Sequence, residues 1–436
     1  MEKGISDSDS GRPSAVPGER PNIGIFGKRN TGKSTLFNLL LGQDVAVVSD
    51  LKGTTTDPVR KSMELDGVGA VTLIDTPGYD DDGDIGSLRV EQSVKSAASC
   101  NVALVIVEGR EDALDRRWAE YLEGRGATVI IIRKEDILQG ESVRETDVSL
   151  RVRDSVFAKI RQALASKDSD GSPVTILGNL VSEGDVVVLV MPQDKAAPKG
   201  RLIMPQMQTV RELLDRGCMP LCVSPENLAG AFGSLSFKPR LVITDSQAFS
   251  SVRSAMEKAF ARTSSDVRSG TDAVTVKANA SVCGFSSEAA FAGIFAPEDM
   301  EVISDVIGGV PLTSFSILFS RYKGDIRIFK EGAAKIASLA PGSCVLIAEA
   351  CAHRPLNEDI GRVKLPALLR RKVCEDLNID VVAGSDWPSD LGGYDLIIHC
   401  GACMFNRRLV LSRIADARCS GVPITNYGLA LSALMR

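Results

Sequence analysis

The sequence predicts an α/β fold in three successive regions, the first of them built on a parallel sheet. Two observations lead there. Short runs of Val, Ile and Leu alternate with segments of helical period, and the runs are apolar almost throughout, as in parallel sheets covered by helices on both faces. Two polar breaks, ALASKDSDGSP at 163–173 and RTSSDVRSGTD at 262–272, interrupt that alternation. They divide the chain.

The elements follow in order. Residues 1–20 are rich in Ser, Gly, Pro and charge, which predicts a disordered segment, and they lack the apolar stretch of a secretory signal. Next come NIGIFG, a helix packed through residues 36–41, AVTLIDT, NVALVIVE and TVIIIRK, giving a first domain over 21–168. DVVVLVMP, a helix near 206–216, MPLCVS, RLVITD and a helix over 247–261 form a smaller α/β unit, 174–262. A helical stretch near 324–338, the strand SCVLIAEA, the strand DLIIHC and a helix over 405–419 occupy the last region, 270–436. The middle unit is too short to cover its own apolar surface, and RLIMPQMQ adds pliable Met side chains. A homodimer is expected there.

Composition narrows the classes. Of 436 residues, 44% are apolar and 25% charged, as in soluble globular proteins. The longest apolar runs, VALVIV and VVVLVM, fall far short of a membrane span, so no membrane is expected. With 51 basic and 56 acidic side chains, the net charge of −5 leaves no footprint for nucleic acid. Ten cysteines without a secretion signal imply a reducing compartment: the cytoplasm, or an organellar stroma or matrix if the coding sequence carried a transit peptide.

GKRNTGKS, Gly27 to Ser34, lies between the run NIGIF and a helix, the setting a phosphate-binding loop requires. Gly27 and Gly32 let backbone amides converge on phosphate oxygens, Lys33 reaches the β- and γ-phosphates, and Ser34 holds Mg²⁺. Asn30, Thr31 and Thr35 complete the loop's nucleotide contacts. LIDTPG supplies Asp75 for the metal and Gly78, whose amide meets the γ-phosphate. Between the motifs, DLKGTTTDP offers Thr55, or Thr54, as a switch residue closing over Mg²⁺. These motifs match GTPases related to translation factors, whose base-reading N-K-x-D should follow the third run. Here RKED stands instead: Arg133 replaces the Asn, with Lys134 and Asp136 in place. Asp136 accepts from guanine N1–H and N2–H₂, while Arg133 offers no acceptor, so guanine preference is expected to be weakened. Tyr79 occupies the position after Gly78 where many relatives carry a water-orienting Gln, so slow GTP hydrolysis is expected. Asn30 resembles the asparagine through which one branch of these GTPases binds K⁺, which implies K⁺ stimulation.

A second constellation uses the chain's two histidines. Cys351-x-His353 is followed after 45 residues by His399-Cys400-x-x-Cys403. If SCVLIAEA and DLIIH are parallel neighbours, their carboxyl ends share the rim where open α/β sheets bind ligands, with Cys403 near a helix start. Three thiolates suit an iron–sulfur cluster, and Cys₃His suits zinc equally. Cys100, Cys218, Cys222, Cys283, Cys344, Cys374 and Cys419 stand singly and are expected to pack.

Taken together, FGKRNTGKSTLFN, SDLKGTTTDPV, DTPGYDDDGDIG, APKGRLIMPQMQT, TSFSILFSRYKGD, AEACAHRPLNEDIGRVKLP and DLIIHCGACMFNRR resemble the FeFe-hydrogenase maturation GTPases, the HydF family, over nearly the whole chain from about residue 20. The resemblance implies three domains: GTPase, dimerisation and 4Fe-4S. It implies a scaffold that receives a two-iron precursor with CO and CN⁻ ligands, made with radical SAM maturases, and delivers it to the apo-hydrogenase. Cys351, Cys400 and Cys403 would hold the 4Fe-4S cluster, with His353 or His399 as exchangeable fourth ligand. The alternatives are a ribosome- or tRNA-associated GTPase and a GTPase regulated by an Fe-S or Zn redox switch.

Overall fold

The structure, a computed structural model, describes residues 20–42, 58–80, 84–138, 146–165, 175–192, 202–263, 302–349, 360–384, 386–402 and 405–435. The chain divides into two compact units, Met1–Pro173 with Met404–Ala415 and Val174–Cys403 with Asp416–Arg436.

In the first unit the elements are β1 (Asn22–Gly27), α1 (Lys33–Leu41), β2 (Val59–Leu65), β3 (Gly69–Asp75), α2 (Asp84–Ala97), β4 (Val102–Val107), α3 (Ala113–Gly124), β5 (Thr128–Arg133), α4 (Lys134–Leu138) and α5 (Thr146–Ala165). They build one sheet of order β2-β3-β1-β4-β5. β3, β1, β4 and β5 run parallel, and β2 returns antiparallel on β3. Strand side chains alternate between faces, which explains why the central strands are apolar at nearly every position. On one face Ile23, Ile25, Leu73, Leu104 and Ile106 meet Leu36 and Leu40 of α1 and Phe157 and Ile160 of α5. On the other, Phe26, Ile74, Ala103 and Val105 meet Trp118 and Leu122 of α3. The edge strand β2, VRKSMEL, carries charged and exposed positions and has no apolar run to announce it.

The second unit holds two sheets. Its elements are β6 (Val186–Val190), α6 (Met204–Asp215), β7 (Met219–Val223), α7 (Leu228–Ser234), β8 (Leu241–Thr244), α8 (Phe249–Thr263), β9 (Asp305–Ile307), β10 (Val310–Ser314), α9 (Phe315–Lys323), α10 (Ile326–Lys335), β11 (Cys344–Glu349), α11 (Leu365–Lys372), β12 (Asn378–Ala383), β13 (Leu396–His399), α12 (Arg407–Cys419), which begins within the first unit's segment, β14 (Ile424–Asn426) and α13 (Tyr427–Met435). One sheet has the order β7-β6-β8-β10-β9 and the other β12-β11-β13-β14. The first extends past residue 262, where the middle unit was expected to end, because β10 pairs parallel with β8 and carries β9 on its outer edge. Both added strands are short, and Pro311 interrupts the second, so neither registers as an apolar run. In the other sheet every pairing is parallel, and β11 and β13 are direct neighbours, which meets the condition for their carboxyl ends to share a rim.

Among the described residues no helix is long and apolar enough to cross a membrane.

Candidate functional site

Because β1, β3, β4 and β5 are parallel, their carboxyl ends deliver Gly27, Asp75, Val107 and Arg133 to one rim of the first sheet. The phosphate loop turns there. A Cβ at Gly27 would lie 2.7 Å from Thr31 Oγ1 and 2.8 Å from the Ile106 carbonyl, so no side chain fits. Asn30 has φ 61° and Gly32 has φ 92°, left-handed conformations that Asn and Gly adopt most readily. Gly32 caps α1, accepting from the Leu36 amide at 2.9 Å. Lys33 is 9% exposed and its ammonium donates to the Lys28 carbonyl at 2.6 Å, a carbonyl that also accepts from Thr31 Oγ1 at 2.8 Å. The lysine thus spans the loop whose amides would surround a phosphate. Thr35 follows Ser34 on the first turn of α1.

Ser34 Oγ donates to Asp75 Oδ2 at 2.7 Å, joining the two residues expected to hold Mg²⁺. Asp75 Oδ1 is buried with no hydrogen-bond partner. Burial raises the Asp75 pKa, against the lowering effects of the Ser34 bond and the Lys33 charge. An orphaned carboxylate oxygen beside a hydroxyl is a donor set that fits a hard cation. The turn after Asp75 rests on the phosphate loop: the Arg29 amide donates to Asp80 Oδ1 at 2.6 Å, and a Cβ at Gly78 would lie 3.0 Å from the Arg29 nitrogen. Thr76 Oγ1 ties the same turn to the Ile25 carbonyl at 2.6 Å. Thr54 and Thr55 lie outside the described residues.

Tyr79 turns away from this rim. It is 4% exposed, stacks on Trp118 with ring centroids 4.9 Å apart, and donates to Asp115 Oδ1 at 2.8 Å. Burial, then the Asp115 bond, raises its pKa. Asp115 is itself buried, closes the capping box of α3 with Asp112, and pairs with Lys28 of the phosphate loop at 3.3 Å. Sequence reasoning missed this Lys28–Asp115–Tyr79 chain, whose members are 36 to 87 positions apart and form no local pattern.

At the ends of β4 and β5 a hollow of about 490 Å³ is lined by Val107, Gly109, Arg133, Asp136 and Lys159 among others. Its rim is braced by Lys134 Nζ, which donates to Glu108 Oε1 at 2.8 Å, and by the Gly109 amide, which donates to Glu135 Oε1 at 3.0 Å.

The second constellation sits on the last sheet. Ala348 of β11 is in register with His399 of β13, and the Cys400 amide donates to the Ala348 carbonyl at 2.9 Å, so Glu349 and Cys400 share a rim. His399 is 1% exposed, and its Nδ1–H donates to the Cys400 carbonyl at 2.6 Å. The Ala402 amide donates to Cys400 Sγ at 3.4 Å, and Ala402 has φ 49°. Lys323, the last residue of α9 and 2% exposed, donates to the Ala402 carbonyl at 3.1 Å. No sequence signal marked it. Cys351, His353 and Cys403 lie outside the described residues, and among the described residues no three His, Cys, Asp or Glu side chains gather as a metal site. Of the single cysteines, Cys100 and Cys218 are buried as expected, and burial pushes the Cys100 thiol up to about 12. Cys222 and Cys419 are exposed instead, because one lies on the edge strand β7 and the other ends α12. Cys283 lies outside the described residues.

Comparisons with known proteins bear on all three regions. Residues 22–135 match the 50S ribosome-binding GTPase family, residues 176–267 the hydrogen maturase F dimerization domain, and residues 327–436 the hydrogen maturase F tetramerization domain. Among curated proteins, the tRNA modification GTPase MnmE of Ectopseudomonas mendocina is 33% identical over 153 residues, 34% of this chain and 32% of that protein. MnmE of Neisseria meningitidis serogroup C is 40% identical over 106 residues, covering 24% and 23%. The chain therefore spans about a third or less of the length of these relatives. Among solved structures, Aquifex aeolicus Era bound to GDP and AlF4⁻ is 18% identical, with 47% of this chain and 93% of that chain covered at a TM-score of 0.23. The G domain of the Thermotoga maritima FeoB iron transporter is 14% identical, covering 31% and 99% at a TM-score of 0.19. With a GTPase domain leading and that family's two oligomerisation domains following in order, the chain belongs to the hydrogen maturase F (HydF) family.

Proposed function

We propose that this chain is a slow, K⁺-stimulated GTPase that also carries a 4Fe-4S cluster and acts as scaffold for the two-iron precursor of the FeFe-hydrogenase active site. The precursor, bearing CO and CN⁻ ligands, is cargo received from radical SAM maturases and passed to the apo-hydrogenase in a reducing compartment such as the cytoplasm. The observation that supports the cluster most is the parallel pairing of β11 with β13, since Cys351 follows Glu349 by two residues and Cys400 follows His399 directly.

In the GTPase domain, Lys33 would bind the β- and γ-phosphates, the Gly78 amide the γ-phosphate, and Ser34, Asp75 and Thr55 Mg²⁺. Gly27, Thr31, Gly32 and Thr35 would surround the phosphates, with Lys134 and Asp136 at the base. The left-handed Asn30 supports a K⁺ contact beside the phosphates, and the inward-facing Tyr79 supports slow turnover because it leaves water unoriented. Equal turnover in K⁺ and Na⁺ would remove the Asn30 assignment.

In the last domain, Cys351, Cys400 and Cys403 would hold the cluster. When bound, it supplies an iron with a replaceable fourth ligand. His353 or His399 would fill that position; burial of His399 in β13 and its bond to the Cys400 carbonyl favour His353, with His399 orienting the cysteine.

The test is anaerobic purification after co-expression with the maturases. CO and CN⁻ infrared bands together with activation of apo-hydrogenase are expected. Iron without bands or activation would instead support the redox-switch reading. The MnmE relatives favour a tRNA-associated role as second reading, which specific RNA binding would support.

A further inference from the structure

We infer that Arg133 reads the Hoogsteen edge of guanine, doing with two donors what an asparagine in its place does with one. This rests on GTP being the substrate, as proposed above. The phosphate loop follows β1, and β5 lies two strands away, about 10 Å along the rim. That offset suits a ribose between phosphates and base, and the hollow at the ends of β4 and β5 opens there. Arg133 and Asp136 both line it.

Their neighbours are already committed, Lys134 to Glu108 and Glu135 to the Gly109 amide. Among the described residues, Arg133 and Asp136 form no ion pair with any group, so both heads are available to a ligand. Guanine presents donors, N1–H and N2–H₂, on one edge and acceptors, O6 and N7, on the other. A carboxylate only accepts and a guanidinium only donates, so Asp136 matches the first edge and Arg133 the second, in the bidentate fork arginine forms with O6 and N7. Adenine mismatches at both places: its N1 faces the carboxylate as an acceptor, and although it keeps the N7 acceptor its N6 amine faces the guanidinium as a donor. The substitution that at sequence level weakens guanine preference therefore preserves it by a different contact.

The experiment uses the full-length chain and competition between fluorescent GDP and four unlabelled probes: GDP, 7-deaza-GDP, IDP and ADP. For the wild-type chain, 7-deaza-GDP, which lacks the N7 acceptor, is expected to bind about tenfold more weakly than GDP. In Arg133→Ala, GDP weakens by a similar factor and the ratio of 7-deaza-GDP to GDP falls close to one, while the handicap of IDP, which lacks the N2 amine facing Asp136, persists. Arg133→Asn should regain part of the 7-deaza discrimination. The wild-type comparison needs no variant, so a variant that misfolds leaves the test intact. Equal binding of GDP and 7-deaza-GDP with ADP still excluded would overturn the role of Arg133 and leave GTP as substrate. Equal binding of ADP and GDP would overturn both.

Discussion

Asp75 meets two opposed demands. To hold Mg²⁺ as proposed, its carboxylate must ionise, yet burial raises its pKa and one oxygen has no partner. For an acid whose folded pKa is raised, the folded state binds the proton more tightly than the unfolded chain. The penalty is thus fully present above the folded pKa and is relieved as pH falls through it. Stabilisation by Mg²⁺ runs the other way, present at neutral pH and lost over that same interval. Asp75→Asn is expected to stabilise the Mg²⁺-free chain slightly at pH 7 in urea unfolding and to cut Mg²⁺-dependent turnover on the order of 100-fold. A variant that hydrolyses GTP normally would remove Asp75 from the metal site. Tyr79 supplies a second residue-scale expectation. Because its ring is stacked on Trp118 and its hydroxyl bound to Asp115, glutamine there would be buried rather than aimed at water. Tyr79→Gln should destabilise the chain by about 2–4 kcal/mol without accelerating hydrolysis, and a tenfold faster enzyme would show that residue 79 reaches the rim. At this scale the legible part was the local motif: Gly27, Lys33 and Ser34 announce themselves by spacing, and the fold brings Asp75 to Ser34. Lys28, Asp115 and Tyr79 do not announce themselves, since only the folded sheet brings them together.

Among elements, those spelled out by long apolar runs were legible and those at edges were not. β4, six buried residues, was evident; β2, half exposed, and β14, three residues long, were not. β2 lies at an edge with one side toward solvent and so loses the continuous apolar signature, while β14 is buried throughout but too short, and with Thr425 and Asn426 too polar, to form a run. The same exposure points to the contact surface of the dimerization domain. Leu214 on α6 is 56% exposed, Met219 at the start of β7 is 53% exposed, and Met207 is 43% exposed, in two elements that pack against each other. Large apolar side chains grouped this way mark an interface rather than a solvated face. Leu214→Asp combined with Met219→Asp is expected to lower the sedimentation coefficient to that of a smaller species while GDP affinity stays within about twofold, since both residues belong to a different compact unit from the phosphate loop. An unchanged oligomer would exclude this surface.

For the molecule as a whole, the telling residue is Lys323. It ends the helix that continues directly from β10 of the middle sheet, and its buried ammonium donates to the loop that follows Cys400 on the last sheet. One short helix therefore joins the oligomerisation sheet to the rim proposed to hold the cluster. A buried ammonium is costly to desolvate, so packing alone does not account for a lysine here. Thiolates gathered around an iron–sulfur cluster carry negative charge, and a buried cation at the loop would offset it. Lys323→Met is accordingly expected to stay folded but to retain less than about half its iron after anaerobic reconstitution, with a shifted EPR signal in the iron that remains. Cys400→Ser should lose the cluster outright, and His399→Ala should keep one with an altered signal. If Lys323→Met lowers stability by more than about 3 kcal/mol and leaves iron content and EPR unchanged, the lysine is a structural pin for the Ala402 turn, and charge at the rim is balanced by other groups.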